Sequence, residues 1–501
     1  MAPVAVNDLE STVEASTTPS KVINASENGP VSNATLEATT SDEPHTAIFN
    51  RMPWRPPVAV RGQGIYFDLE DGSRILDAVG GAAVACIGNG HPKVVKAIGD
   101  QLQELSYVYN MQLSNRPSEA LARRLIEGSE GAFEHTFFVS GGSEAMEAAL
   151  KLARQYFFEI GQPNRKYFIT RQLSYHGNTL GALAISHHPA RRAPYEAILN
   201  QDLARHVSPV YYKRFAKEGE SEEDYVSRLA KEVEDLFEEL GPGNVVAFVA
   251  EPVSGASQGV TYAPKGYFAA ISAICRRHGA LLIWDEVMCG MGRMGTTLHS
   301  WQNPNSFTDG ISPDIQAIAK GLGGGYGSIG AVLLNKKVAD GIKAGSGYLM
   351  HGHTYQAHPL AVAASYAVQD VLKEENLLER AAQVGTYLEK LLKEKLTGSD
   401  AISAPYIFDI RGAGCFWGVE FHVSEEAETR WFTARRLAGW VQAVAMKNGL
   451  VIMGMSGGID GKRGDVAILA PAYNTTNAEI DELVQKFVKS VEEVLLQTVL
   501  S

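Results

Sequence analysis

The sequence has few cysteines, no long apolar run and no excess of basic residues. Its 501 residues include four cysteines, none spaced as a CxxC or zinc-ribbon motif. We therefore expect free thiols in a reducing compartment and no metal site. The absence of any run of about 18 apolar residues argues against a membrane-spanning helix. A formal charge of −12 makes a general nucleic-acid binder a poor candidate.

Residues 1–45 lack aromatic side chains and contain a single basic residue, Lys21, beside seven acidic residues. Such a segment buries too little apolar area to offset the entropy of ordering it, so we expect a disordered acidic tail. It is not Arg-rich, as a mitochondrial presequence would be, and it has no apolar core for a secretory signal. We therefore expect a cytoplasmic protein.

Strand-like and helix-like segments alternate through most of the remaining chain. Short apolar runs at 136–139, 245–250 and 281–284 predict strands, and apolar residues at helical spacing predict helices near 144–158 and 225–240. Short apolar strands separated by amphipathic helices indicate an α/β fold with a mostly parallel sheet covered on both faces.

The C-terminal part has a different pattern. It predicts a helix near 375–397, a strand-like segment at 405–421, and helices near 428–448 and 477–497. We interpret this part as a smaller α+β domain. The predicted organisation is a tail at 1–45, an N-terminal segment joining the small domain at 46–105, a large domain at 106–370 and the small domain at 371–501.

A glycine-rich segment, Ser140-Gly141-Gly142-Ser143-Glu144, follows a predicted strand and opens a predicted helix. Glycines let a ligand approach the backbone, and the amides at a helix start favour an anion. The segment suits a phosphate, although a simple tight turn also explains it. It is not a Walker loop, because no Gly-Lys-Ser/Thr follows.

Asp285 ends the apolar run Leu282-Ile283-Trp284. A buried carboxylate without a partner costs several kcal/mol, so we expect Asp285 to be paired. The partner is either a cationic side chain, as in a structural salt bridge, or a protonated ring nitrogen of a ligand.

Lys320 follows the apolar run 315–319 and enters a glycine-rich segment. A lysine partly removed from water loses proton affinity and becomes a nucleophile for aldehydes. The alternative is a solvated surface charge.

The tripeptide Tyr175-His176-Gly177 places an aromatic ring beside a histidine and a glycine. The tyrosine could stack on a flat ligand ring, or it could be a packed core residue. Taken together, an anion cradle, a buried acid, a stacking ring and a nucleophilic lysine match the needs of pyridoxal 5'-phosphate (PLP), which requires a Schiff-base lysine and an acid on its pyridinium nitrogen.

The chain resembles the class III aminotransferases, which are fold-type I PLP-dependent enzymes. The resemblance runs from about Phe49 to the end. It implies an α/β fold whose large domain has a mostly parallel, seven-stranded sheet. The motifs that carry it are GGAAVACIGNGHPKVVKAI at 80–98, SGGSEAMEAALKLARQY at 140–156, SYHGNTLGALAISHHP at 174–189, AEPVSG at 250–255, WDEVMCGMGRMG at 284–295, AIAKGLGGGYG at 317–327 and HGHTYQAHPLA at 351–361.

The resemblance implies roles for the motif residues. Lys320 would form the Schiff base and shuttle the proton, and Asp285 would pair with the pyridine nitrogen. Gly142 and Ser143 would hold the phosphate, and Tyr175 would stack on the ring.

Four further residues match cofactor-binding positions of the family. Val287 would pack on the opposite face of the ring, and His176 would lie in the cofactor site beside Tyr175. Glu251 would be an acid near the cofactor. Thr354 would contact the phosphate bound to the neighbouring subunit, so the resemblance implies a homodimer or a larger homo-oligomer.

The positions that determine the substrate depart from part of the family. Trp54 and Tyr109 lie in segments that line the substrate pocket in relatives. Relatives that act on ornithine or γ-aminobutyrate carry a glutamate and an arginine where this chain has Ala256 and Ile468. Omega-amine transaminases share the alanine, and many carry a mobile arginine in a loop where this chain has none before Arg463. Either Arg463 reaches into the substrate pocket, or one substrate lacks a carboxylate.

These observations predict a ping-pong transaminase that moves an amino group from a primary amine or omega-amino compound to a keto acid or ketone. A PLP-dependent racemase, decarboxylase or lyase of the same fold is the alternative. A non-catalytic PLP-binding interaction subunit is a more distant one.

Overall fold

The computed structural model describes residues 46–52, 55–305, 307–432 and 435–500. Residues Val58–Ser501 form one compact unit, and Met1–Pro57 belong to a separate unit. The predicted tail at 1–45 and the candidate substrate residue Trp54 lie outside the described residues.

The strands and helices alternate through the described chain. The strands are β1 (Ala59–Gln63), β2 (Tyr66–Leu69), β3 (Arg74–Asp77), β4 (His135–Val139), β5 (Tyr167–Arg171), β6 (Ala204–Val207), β7 (Val245–Ala250), β8 (Val253–Ser254), β9 (Thr261–Tyr262), β10 (Leu281–Asp285), β11 (Ile315–Ile318), β12 (Gly330–Leu334), β13 (Ile407–Ala413), β14 (Phe416–Phe421), β15 (Leu450–Val451), β16 (Met453–Ser456) and β17 (Asp465–Leu469). The helices are α1 (Gly80–Ala83), α2 (Pro92–Glu104), α3 (Arg116–Gly128), α4 (Gly142–Glu159), α5 (Leu180–Ile185), α6 (Pro189–Arg192), α7 (Tyr212–Phe215), α8 (Glu222–Leu240), α9 (Tyr267–His278), α10 (Lys336–Ala344), α11 (Pro359–Glu374), α12 (Leu377–Thr397), α13 (Glu425–Trp431), α14 (Leu437–Lys447) and α15 (Asn477–Gln497).

A seven-stranded sheet forms the centre of the fold, in the order β4-β12-β11-β10-β7-β5-β6. Strands β11, β10, β7, β5 and β6 run parallel, whereas β12 is antiparallel to both of its neighbours. The short connection from β11 to β12 explains the reversal, because a parallel neighbour needs a crossover of a dozen or more residues. The predicted mostly parallel, seven-stranded sheet is confirmed.

Both faces of this sheet are covered by helices, which explains why its central strands β7 and β10 are almost entirely apolar. Val249 and Ile283 pack in the cluster that contains α4, and Phe248 and Leu282 pack in the cluster that contains α8 and α9. Alternate residues of a strand point to opposite faces, so a strand covered on both sides is mostly apolar, and β7 is apolar at every position.

Two four-stranded sheets and the two-stranded sheet β8-β9 are the other sheets of the described chain. The antiparallel sheet β13-β14-β17-β16 packs with α12, α14 and α15 in one large core. In the sheet β1-β2-β3-β15, β3 pairs in parallel with β15, so a strand near the N-terminus joins one from the C-terminal part. The domain boundaries at 105/106 and 370/371 stay predictions.

Two predicted segments are each divided in the structure. The strand-like segment at 405–421 forms β13 and β14, because Gly414 adopts a φ of 53° in the turn between them. The helical region near 428–448 forms α13 and α14, and the extended backbone of Arg436 precedes the second helix.

The four cysteines are free and buried. Burial raises the pKa of Cys86 to about 11 and that of Cys415 to about 12. Within the described part of the chain, no helix is both long and apolar enough to cross a membrane. The same residues contain no group of three or more His, Cys, Asp or Glu side chains that could hold a metal ion.

Candidate active site

A cavity of about 300 Å³ lies at the carboxyl ends of the central parallel strands. Asp285 ends β10, Glu251 directly follows β7, and Lys320 lies two residues after β11. Parallel neighbours place their carboxyl ends at one edge of a sheet, which is where α/β folds bind ligands. The lining residues are Val84, Ser140, Gly141, Gly142, Ser143, Tyr175, His176, Gly177, Glu251, Ala256, Asp285, Val287, Met288, Ala319, Lys320, Gly327, Ser328 and Ile329.

Asp285 is buried and held by two hydrogen bonds. Its Oδ2 lies 2.9 Å from Nδ1 of His176, and its Oδ1 accepts a hydrogen bond of 3.1 Å from the backbone N–H of Val287. Within the described residues, no lysine or arginine forms a salt bridge with it, and His176 is its one ionisable partner. A buried carboxylate without a permanent cation suits a protonated ligand nitrogen.

Glu251 orients the segment that carries Tyr175. Its carboxylate accepts hydrogen bonds from the backbone N–H of Tyr175 at 3.2 Å and of Gly255 at 3.1 Å. Burial raises the pKa of Glu251, and the charge of Asp285 adds to the rise, whereas His176 opposes it. Glu251 therefore fixes the backbone between β5 and the cavity.

Glu286 is a buried acid to which the sequence patterns assign no role. It accepts hydrogen bonds from the hydroxyl of Ser300 at 2.5 Å and from the backbone N–H of Ser300 at 2.8 Å. Burial raises the pKa of Glu286 to about 7. Glu286 is not among the cavity-lining residues, and its hydrogen bonds tie the segment at Ser300 to the end of β10.

Lys320 adopts a left-handed backbone conformation with a φ of 47° at the start of a 3-10 turn. This conformation is uncommon for a residue with a side chain, and such outliers cluster at functional sites. Burial lowers the pKa of Lys320, against the opposing effect of Asp285 and Glu251. The amine therefore has a smaller affinity for a proton than a surface lysine, which makes it a better nucleophile.

The glycine-rich segment forms a close-packed cradle at the start of α4. A Cβ added to Gly142 would lie 2.6 Å from Cγ1 of Val287, and one added to Gly177 would lie 2.9 Å from Cα of Ser143. The hydroxyl of Ser143 accepts a hydrogen bond of 3.1 Å from the backbone N–H of Asn178. Free amides at the start of an 18-residue helix suit an anion such as a phosphate.

The residues of the cavity fit PLP. The cavity combines a phosphate cradle, a buried acid without a lysine or arginine partner in the described chain, and a lysine of lowered pKa. In addition, Nε2 of His176 is buried and has no hydrogen-bond partner within the described residues. The site therefore has the groups that a pyridine ring with a phosphate and an aldehyde requires.

Three predicted residues do not line the cavity. Tyr109 is exposed and its hydroxyl contacts Sδ of Met111 at 2.9 Å. The carbonyl of Thr354 accepts a hydrogen bond of 2.9 Å from the hydroxyl of Tyr107. Arg463 lies on an exposed loop, where its Nε donates to Asp460 at 2.7 Å.

Several lining residues have no counterpart among the predicted site residues. Val84 belongs to a quoted motif without an assigned role, and Ser328 follows the glycine-rich segment. The hydroxyl of Ser328 donates to the carbonyl of Ser140 at 2.6 Å, so it ties the segment after Lys320 to the phosphate cradle. The sequence signal that could have identified Ser328 is its position directly after Gly327, at the end of the glycine-rich segment.

Comparisons with known proteins agree with this geometry. The family model of the class III aminotransferases matches residues 51–491. An uncharacterized aminotransferase of Schizosaccharomyces pombe is 40% identical over 461 residues, which cover 91% of this chain and 98% of that protein. Gamma aminobutyrate transaminase 3, chloroplastic, of Solanum lycopersicum is 32% identical over 455 residues, which cover 90% and 83%.

A solved structure also shares the fold. The omega transaminase from Pseudomonas jessenii in complex with PMP has a TM-score of 0.80 and 31% identity, and the match covers 89% of this chain and 94% of that chain. The chain belongs to the class III aminotransferase family. It is a PLP-dependent transaminase with a fold-type I architecture.

Proposed function

We propose that this transaminase takes its amino group from a primary amine or from an amine remote from any carboxylate, and that a keto acid or ketone accepts it. The observation that supports this donor class is the charge of the cavity wall. Among the described lining residues, Lys320 is the one lysine or arginine. An α-carboxylate next to the reacting carbon would need a fixed cation, since arginine is the usual bidentate partner of a carboxylate.

The positions of Ala256 and Ile468 support the same donor class. Both side chains are buried, and they belong to one apolar cluster together with Met288 and Phe416. An ion pair at these positions would gate a charged group, whereas this apolar wall favours the hydrocarbon part of an amine.

Lys320 is the residue that we propose carries the chemistry. PLP, when bound, supplies an aldehyde that condenses with amines and a ring that accepts electrons. The lowered pKa of Lys320 lets its Nζ take a proton from the substrate carbon and return it, as a general base and acid. Asp285, held by His176, would keep a proton on the ring nitrogen.

The remaining cofactor-binding residues would set the position of the ring. Gly142 and Ser143 would hold the phosphate at the start of α4, and Tyr175 and Val287 would contact the two faces of the ring. Glu251 would act on the ring through Tyr175, because its carboxylate accepts a hydrogen bond from the backbone N–H of Tyr175.

We also propose that the enzyme is a homodimer, or a larger homo-oligomer, with Thr354 contributing to the neighbouring site. The segments around Tyr107 and Tyr355 adjoin, since their rings make an edge contact with centroids 5.9 Å apart. This surface exposes Met111 to 81% and Tyr355 to 61%. Large exposed apolar side chains that cluster indicate an interaction surface.

Three finer statements remain proposals that rest on the sequence. Trp54 and Tyr109 would line the substrate pocket of the oligomer, and Arg463 would reach a substrate carboxylate if its contact with Asp460 opened. A cytoplasmic location would follow from the composition of the tail at 1–45.

The experiment is a donor panel assayed with pyruvate as the acceptor. We expect turnover with primary monoamines and omega-amino compounds, and at least about tenfold lower kcat/KM with α-amino acids longer than alanine, since alanine is the product formed from pyruvate and binds the same site. Omission of pyruvate should stop amine consumption after one equivalent per site. Equal rates with α-amino acids would contradict the donor class, and continued consumption without an acceptor would indicate a lyase or decarboxylase.

A further inference from the structure

Arg191 is a cation that packs on Tyr175, one of the cavity-lining residues, and its charge has no carboxylate partner among the described residues. It lies on the short helix α6, and its guanidinium carbon is 4.2 Å from the centroid of the Tyr175 ring. The Tyr175 side chain lines the cavity. Within the described residues, Arg191 takes part in no salt bridge and its side chain donates no hydrogen bond.

The neighbouring Arg192, in the same helix, has a structural role. Arg192 is buried, and its Nη1 donates to the carbonyls of Leu183, Ala184 and Ser186. Its Nε also lies 3.4 Å from the carboxylate of Glu196. Arg192 thus accounts for the packing of α6, whereas Arg191 is partly exposed and held by a ring face alone.

The surroundings place Arg191 on the Ala256 side of the cavity. The ring of His188 makes an edge contact with Tyr175, with centroids 6.1 Å apart. Burial and the charge of Arg191 lower the pKa of His188 to about 4, and a hydrogen bond with the backbone of Ala256 opposes the shift. His188 therefore stays neutral and leaves Arg191 as the positive charge at this wall.

The loop that carries Arg463 covers the same wall. A Cβ added to Gly461 would lie 2.6 Å from Cγ of Pro189, at the start of α6, and one added to Gly458 would lie 3.6 Å from Cα of Gln258. Arg463 itself donates to Asp460 through both its backbone N–H and its Nε. Arg463 therefore has a carboxylate partner, whereas Arg191 has none among the described residues.

We propose that Arg191 binds the carboxylate of the acceptor and rests on the Tyr175 ring when an uncharged amine occupies the site. This inference rests on the proposed function, in which one substrate carries a carboxylate and the other does not near its reacting carbon. A cation–π contact is weaker than a desolvated bidentate ion pair, so an incoming carboxylate can displace the ring as the partner of the guanidinium. The long arginine side chain allows both positions without movement of α6.

The test compares a carboxylate with its neutral isostere on the holoenzyme. Propionate and propionamide are titrated by calorimetry into the wild type, R191L, R191K, R463L and R430L. Arg430 is a matched control, because it is exposed and stacks on Trp431 at 4.9 Å, far along the chain from the site. We expect R191L to weaken propionate binding about 10- to 100-fold and to leave propionamide unchanged. R191K should fall between, and R430L should match the wild type.

Turnover with pyruvate and with propanal provides the second readout. In R191L, KM for pyruvate should rise by the same factor, whereas KM for propanal should not change. Equal losses for the charged and neutral ligands, a wild type that does not prefer propionate, or a selective loss of propionate binding in R463L and not in R191L would each overturn the assignment. If the wild type uses neither a keto acid nor a ketone as the acceptor, the proposed function fails, while the propionate titration still decides the role of Arg191.

Discussion

His176 and Asp285 form a buried pair in which Nδ1 of the histidine lies 2.9 Å from Oδ2 of the acid. The side chains are 0% and 6% exposed. Because Asp285 has no lysine or arginine partner within the described chain, the orientation of its carboxylate depends on His176 and on the backbone of Val287. The histidine is thus a positioning residue for the acid that would face the cofactor.

Replacement of His176 tests this dependence. H176L removes the donor, and we expect the dissociation constant for PLP to rise about 10- to 100-fold, since a hydrogen bond to a charged group is lost. H176N retains an amide donor near the place of Nδ1 and should recover part of the affinity. Fluorescence titration of the cofactor-free proteins measures both. Equal weakening by the two substitutions would show that the hydrogen bond is not what matters.

The buried amine of Lys320 should be visible in the pH dependence of stability. The pKa of Lys320 is lowered in the folded protein, so the unfolded chain binds more protons between this lowered value and the usual 10.5. Stability of the cofactor-free wild type therefore rises with pH through that window. K320M lacks this rise. The difference in free energy of unfolding between K320M and the wild type should therefore favour K320M most at pH 7 and shrink toward pH 10.

Urea unfolding of cofactor-free wild type and K320M at pH 7, 8.5 and 9.5 measures the difference. Asp285 and Glu251 remain in both proteins, so their contributions cancel to first order. A difference that is constant across these pH values would contradict a lysine whose charged form is disfavoured by burial.

The cradle at the start of α4 has no room for a side chain at Gly142. In G142A, the new methyl group would displace Val287, the residue proposed to pack on the cofactor ring. Overpacking of this kind costs about 1–3 kcal/mol, so we expect the dissociation constant for PLP to rise about 5- to 100-fold. The matched control is G99A, because a Cβ at Gly99 meets nothing within 4 Å on the exposed face of α2. Unchanged PLP affinity in G142A would place the cofactor elsewhere.

The apolar surface around Met111 and Tyr355 should hold two subunits together. In the double variant M111D/Y355D, two charges would be buried in the interface, so we expect a monomer by light scattering and at least a tenfold loss of activity. L496D changes an apolar side chain on α15 that is 56% exposed and should leave the oligomer intact. A fully active oligomer of the double variant would place the interface elsewhere.

The residues that local patterns identify are those at strand ends and helix starts. Asp285, Lys320 and Gly142 each follow an apolar strand or open a helix, and parallel strands bring such ends to one edge. Because strand and helix periodicity are local properties, these positions could be predicted from the sequence. The direction of β12 does not follow from its apolar run, which fits a parallel or an antiparallel neighbour, but from the short connection after β11.

Local sequence patterns do not predict contacts between segments that are distant in the chain. The His176–Asp285 pair joins residues 109 positions apart, and the contact between Arg191 and Tyr175 depends on how α6 folds back over the strand end. Glu286 likewise follows Asp285 in the sequence, yet its burial against Ser300 is set by the loop at the back of the strand. Such pairings depend on the tertiary fold, so a single sequence leaves them open.

Reduction of the holoenzyme with borohydride tests the central claim most directly. Borohydride fixes the cofactor on the amine that holds it, and mass spectrometry of the digested protein locates that lysine. We predict one pyridoxyl phosphate group per chain, attached to Lys320, and no attachment in K320A at the same PLP concentration. Attachment to another lysine, or an unmodified Lys320 in an enzyme that turns over amines, would contradict the account.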